Sequence, residues 1–238
     1  MPMASGMSVN ELVLVQGMRD TRQALDRWNR DPWATVGPWL GLSLAVALAL
    51  LLAVYAIAGA SAPDQTPLVV PGYNKPATLG EYGFILFRNG LVLSLHALAC
   101  VAGFMAGSSL PLSASKRRGF SRLVHEKAGP FAIAFVTGAT LFSLGTQAYV
   151  LGAGASTVAA QLGISPAALV AGILPHALPE LVALFLPLAA WLIASRRGRW
   201  EELLAATFVT VAIAVPALLA SAAVELWLTP HVLRALAG

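Results

Sequence analysis

The stretch AGILPHALPELVALFLP, Ala171–Pro187, sets one histidine, one glutamate and three prolines in an otherwise apolar run. With its flanks it extends over about 168–194, enough for the roughly 20 residues that cross a bilayer. An acid near the centre of such a segment costs roughly 2.5–3.5 kcal/mol on insertion scales. Glu180 is therefore paired, neutral or turned towards water. Pro175, Pro179 and Pro187 have no N–H, so the carbonyls of Ala171, Pro175 and Ala183 lose their helical donors. Within a membrane, that loss is tolerated where neighbouring side chains or cavity water satisfy the freed groups. The segment thus predicts a spanning helix, kinked or broken by its prolines, with a small polar pocket at the break.

The rest of the chain agrees with a membrane protein. Of 238 residues, 58% are hydrophobic and only 11% charged, against about 25% charged in soluble domains. Apolar runs at about 37–60, 84–110, 129–151, 168–194 and 203–228 predict an all-α, polytopic bundle of about five transmembrane helices. The short alternating segments of a β-barrel are absent from the sequence. Residues 1–36 form an N-terminal arm and 37–238 the transmembrane domain. About 35 mostly polar residues precede the first apolar run, which is unlike a cleavable signal peptide. The one cysteine, Cys100, lies inside an apolar run and leaves the redox compartment unread.

The net charge of +4 follows topology better than nucleic-acid binding. Arg19, Arg22, Arg27 and Arg30 precede the first span. Lys116, Arg117, Arg118, Arg122 and Lys127 follow the second, and Arg196, Arg197 and Arg199 follow the fourth. All fall on one side of a five-span protein, and by the positive-inside rule that side is cytoplasmic. The expected location is a cell membrane, multi-pass, with the N-terminus cytoplasmic and the C-terminus outside. The Pro- and Gly-rich segment SAPDQTPLVVPGYNKPATLGEYG on the opposite side is expected to be irregular. GAGASTVAAQLGISP, on that same side, is expected to be a bend or short interfacial helix. Leu14, Met18, Leu25 and Trp28 recur at helical spacing in the arm. That fits either an amphipathic helix on the headgroups or a helix packed on the bundle. Trp33, Trp39, Trp191 and Trp200 fall near span ends, as interfacial belts do. Gly103 and Gly107 form a GxxxG that permits close helix approach. No internal repeat suggests an inverted-repeat transporter.

The candidate polar pocket comprises His96, His176, Glu180, Glu225, Arg88 and Asn89, with the helix break at Pro175, Pro179 and Pro187. His176 and Glu180 are four apart and Asn89 and His96 seven apart, so each pair shares a helix face. Three uses stand open: an interhelical hydrogen bond that holds the bundle; a site for an ion, proton or lipid headgroup; and acid–base catalysis. Arg88 either snorkels to the headgroups or pairs with Glu225. There is no Walker A motif, nucleophile elbow or HExxH. Two ligand-type side chains, or three with His96, are too few to assign a zinc site. No catalytic residue, metal or cofactor is expected.

The segment ILPHALPELVALFLPLAAWLIA resembles the PHGxxE signature of the stage II sporulation protein M family, with Pro175, His176 and Glu180 at the matching positions. Ala177 stands where that family usually has glycine, and Pro179 where it has an apolar residue. LLASAAVELWLTP is similar to the family's last span, Glu225 taking the place of a glutamate near the membrane edge. FRNGLVLSLHALACVAG is similar to its asparagine-pair segment, with Asn89 matching and Gly90 replacing the second asparagine. The likeness covers roughly residues 84–230. It implies an integral membrane component that anchors or organises a complex for cell-envelope remodelling, as the sporulating member does for peptidoglycan-degrading enzymes. A permease-like subunit for a lipid, ion or small solute is the alternative. An intramembrane enzyme using His176 and Glu180 as acid and base is the third. The expected partners are the lipid bilayer and proteins of a membrane complex, with homo-oligomerisation open and no nucleic acid.

Overall fold

The computed structural model describes residues 13–105 and 120–238, and among them it is helical with no strand. Helix α1 is Val13–Trp28, α2 Pro32–Ala60, α3 Leu79–Phe104, α4 Phe120–Leu162 and α5 Pro166–Arg196. A short 3₁₀ turn, Trp200–Glu202, leads into α6, Leu203–Ala223. A π-helical turn, Val224–Leu228, then joins α6 to α7, Thr229–Ala237. Five stretches are long and apolar enough to cross a membrane: Pro32–Ala60, Leu79–Phe104, Ala134–Leu162, Pro166–Arg196 and Trp200–Ala237. The chain is a multi-pass membrane helical bundle. Gly107, Lys116, Arg117 and Arg118 lie outside the described residues, as do the side chains of Leu14, Arg122 and Lys127.

The helix ends follow local chemistry. Asp31 caps α2 by accepting from the Ala34 N–H, and Thr78 caps α3 by accepting from the Glu81 N–H. The segment GAGASTVAAQLGISP is not a separate bend, because α4 continues through it to Leu162. It stops where Gly163 takes φ +68°. The Gly163 N–H then reaches Ala160 O and the Ile164 N–H reaches Ala159 O, the paired closure of a Schellman motif. Ser165 and Pro166 start α5 at once, with Ser165 accepting from the Ala168 N–H.

Of the kink or break expected in the fourth span, the break is corrected. Helix α5 runs unbroken through Pro175, Pro179 and Pro187. Pro175 and Pro179 lie on an exposed face, where a missing N–H and a displaced carbonyl disturb no packed neighbour. Pro187 is fully buried, and there α3 bonds to carbonyls near the Ala183 carbonyl that the proline frees. The His96 Nδ1–H donates to the Leu184 carbonyl at 2.7 Å, and the Cys100 thiol donates to the Pro187 carbonyl at 3.2 Å. Side chains of a neighbouring helix thus pin the backbone around the proline to α3.

Helix α5 is the axis of the bundle. It packs on α2, α3, α4, α6 and α7, and half of its membrane-length stretch is buried, against 6% for α4. At the end of the bundle that carries the arm, Trp28 and Trp39 meet edge to face at 5.2 Å over Leu186, Ala190 and Ala206. Helix α1 is therefore packed on the bundle through Ala24 and Trp28. Its seating is fixed by Arg27, whose Nη2 donates to the buried Glu202 carboxylate at 2.9 Å. At the far end, Leu169, Ala159 and Leu233 close the core beneath Tyr73. The segment 61–78 there is irregular, as its prolines and glycines predict, and is tied to α4. The Asp64 N–H donates to Thr157 and the Leu68 N–H to Gln161, each at 3.0 Å.

Close helix approach depends on Gly152. A Cβ there would lie 2.6 Å from Ile57 and 3.1 Å from the Val54 carbonyl of α2. Gly103 likewise abuts Trp191 and Leu203, whereas Gly138 has open space around it. Gly152→Ala is expected to lower stability in detergent by about 1–3 kcal/mol, the usual cost of overpacking. Gly138→Ala should leave the melting temperature unchanged or slightly raised. Identical melting of the two variants would refute the close approach of α2 and α4.

Candidate functional site

The sequence spaces His176 and Glu180 one turn apart on α5, and Glu225 and Thr229 one turn apart on the last span. The two segments run antiparallel, so the pairs meet as rungs. His176 Nδ1 lies 2.8 Å from Thr229 Oγ1, and both residues are buried. One turn further along α5, Glu180 and Glu225 interact electrostatically with each other and each with Arg88. Glu225 belongs to the π-helical turn. An extra residue per turn is a form that helices adopt locally and often at functional positions.

Helix α3 closes the second rung. Asn89 lies beside Glu180 within hydrogen-bonding reach of its carboxyl, while Asn89 Nδ2 and Glu180 Oε2, both buried, have no partner of good geometry. A buried polar atom left unpaired costs about 1–3 kcal/mol. Here the two side chains face each other as a poorly aligned pair, so a small shift of either closes the bond. Arg88 is exposed, with its guanidinium 5.9 Å over the Phe84 ring. It combines the two expected behaviours: it reaches outward along an aromatic ring while acting on both carboxylates.

Four of the six expected pocket residues, Arg88, Asn89, Glu180 and Glu225, are thus gathered by α3, α5 and the π turn. His176 occupies the neighbouring rung with a partner of its own. His96 stands apart. Since a carbonyl only accepts, its bond to Leu184 fixes the tautomer with the proton on Nδ1. Its ring lies tilted against Phe185 at 6.1 Å. His96 is therefore a packing and backbone-satisfying residue, and among the described residues no three His, Cys, Asp or Glu side chains converge as metal ligands. The pocket is a groove between helix faces and owes nothing to a break in α5.

Thr229 escaped the reading of the sequence, although VELWLTP places it four residues after Glu225. The same spacing that pairs His176 with Glu180 would have found it. Tyr82, whose hydroxyl donates to the Leu219 carbonyl at 3.0 Å, carried no signal, because its partner is a main-chain atom 137 residues away. No family model, curated protein or solved structure matches the chain.

The rungs make separable predictions. His176→Leu and Thr229→Val should each lower stability by about 1–3 kcal/mol, because each leaves the other's polar atom buried and unpaired. The double variant should lose less than the sum. Strict additivity in detergent unfolding would show that the 2.8 Å contact contributes nothing.

Proposed function

We infer that the chain is an integral membrane component of the stage II sporulation protein M type, which organises a protein complex in the membrane for envelope remodelling. The observation that carries this reading is an inversion of polarity and exposure. The third span, Ala134–Leu162, is the least apolar of the five and also the least buried, at 6%. A helix facing only acyl chains should be the most apolar. Instead α4 turns Ser143 and Thr146 outward beside Gly138 and Gly145, among the exposed rings of Phe135, Phe142 and Tyr149. Small and hydroxyl-bearing residues suit contact with another helix better than contact with lipid. Partner proteins or further copies of this chain would cover that face.

The distribution of Lys and Arg supports a cytoplasmic N-terminus and an outward far end. Under that orientation the groove at Glu180 lies near the midplane, since fourteen residues from Pro166 amount to roughly 21 Å of helix. The alternative, a permease-like subunit, draws support from the poorly aligned Asn89–Glu180 pair in the groove, which a passing ion or proton would engage.

A paired substitution tests the first reading against the second. Gly138 and Gly145 have nothing within 4 Å of an added Cβ, so Gly138→Leu with Gly145→Leu should leave the folded chain intact. The expected result is that the wild type, extracted from its own membranes in mild detergent, runs in a complex that the variant no longer enters, with melting unchanged. Glu180→Gln should leave that complex assembled. A wild type that runs as a lone, fully folded monomer, or a variant that assembles normally, removes the organising role. Loss of solute flux on Glu180→Gln with assembly intact would establish the permease.

A further inference from the structure

At the far end of the bundle a cleft of about 310 Å³ opens between the segment before α3 and the end of the last span. Its walls include Tyr73, Lys75, Trp227, His231 and Arg234. This volume lies at the lower end of the ~300–1,000 Å³ of small-molecule sites. It suits a headgroup rather than a whole lipid.

The cleft is preformed. Gly72 takes φ +79° and its N–H bonds to the Lys75 carbonyl at 2.7 Å. A Cβ at Gly72 would collide with the Leu226 carbonyl and Pro230, so the loop rests directly on the π turn. The Asn74 side chain bridges the loop, accepting from the Val70 N–H at 2.7 Å and donating to the Leu68 carbonyl at 2.8 Å. Arg234 is oriented from the opposite wall. Its Nη2 donates to the carbonyls of Gly72 and Tyr73, and its guanidinium lies 5.2 Å from the Tyr73 ring centroid.

The charge of the cleft is positive and unbalanced. Lys75 is paired with Glu81, and Glu225 faces Glu180 and Arg88. Arg234 has no ion pair among the described residues, and its Nη1 and Nε make no hydrogen bond there. His231 is exposed beside it and bonded to nothing among the described residues. A guanidinium held by one nitrogen, with its remaining donors free, is suited to the oxygens of a phosphate. Trp227, packed against Tyr82 at 5.3 Å, closes the inner side of the cleft.

We propose that this cleft binds a phosphate group at the membrane surface, carried by an anionic lipid headgroup or by a free phosphate, with Arg234 as its principal ligand and His231 beside it. The site is separate from the Glu180 groove and stands whether or not the chain organises a complex.

The test uses the full chain in a neutral maltoside detergent, titrated calorimetrically with dihexanoyl phosphatidylglycerol, dihexanoyl phosphatidylcholine and inorganic phosphate. Saturable binding of the phosphatidylglycerol is expected, with the phosphatidylcholine at least tenfold weaker because its choline cation meets Arg234. His231→Glu places a negative charge in the cleft without breaking any hydrogen bond. It should weaken binding at least tenfold at unchanged melting temperature, and His231→Lys should retain it. Competition by inorganic phosphate would assign the site to a free phosphate; its failure to compete would assign it to a lipid. Equal binding of the two lipids, no saturable binding, or wild-type affinity in His231→Glu would overturn the proposal.

Discussion

Two antiparallel rungs between α5 and the last span, His176 with Thr229 and Glu180 beside Glu225, decide how polar groups survive in the interior of this bundle. In hydrocarbon each of these side chains would be costly alone. Set opposite one another, the imidazole and hydroxyl satisfy each other, and the carboxylates share the field of Arg88. The π turn belongs to the same arrangement, since Glu225 sits inside it and Thr229 follows directly. A single helix, α5, presents polar atoms to the last span and main-chain carbonyls to α3. That is why it is the most buried of the five spans.

The proline run takes its meaning from this central position. At the bilayer surface of α5, Pro175 and Pro179 need no compensation from side chains of other helices. At Pro187, inside the bundle, two residues of α3 one turn apart bond to the backbone on either side of the ring. Because α3 and α5 run in the same direction, increments along one helix match increments along the other. His96 thus meets Leu184, and Cys100 meets Pro187. The cysteine, which the sequence left without a role, is part of a helix–helix hydrogen bond.

The two ends of the molecule are built differently. The arm end is closed by apolar burial, with Trp28 against Trp39 and the buried Glu202 neutralised by Arg27 and Arg199. The far end is held by hydrogen bonds among loops and helix termini, and these keep a cationic cleft open beside the exposed Trp227 ring. Between them, α4 stands at the edge of the bundle with few neighbours of its own chain.

The sequence alone determined the class, the five spans and the choice of polar residues, because bilayer thickness sets span length and intramembrane charge is rare enough to stand out. Helical spacing also put His176 and Glu180 on one face. What it could not determine was partnership. Whether Glu180 met a histidine, an arginine or a second carboxylate depended on the rotation and offset of α3 and the last span, which arise from packing at positions such as Gly103 and Gly152. The prolines predicted a kinked or broken helix, and α5 is continuous through all three. Local composition records which donor a proline removes, and only the fold shows which neighbouring helix is bonded to the backbone beside it.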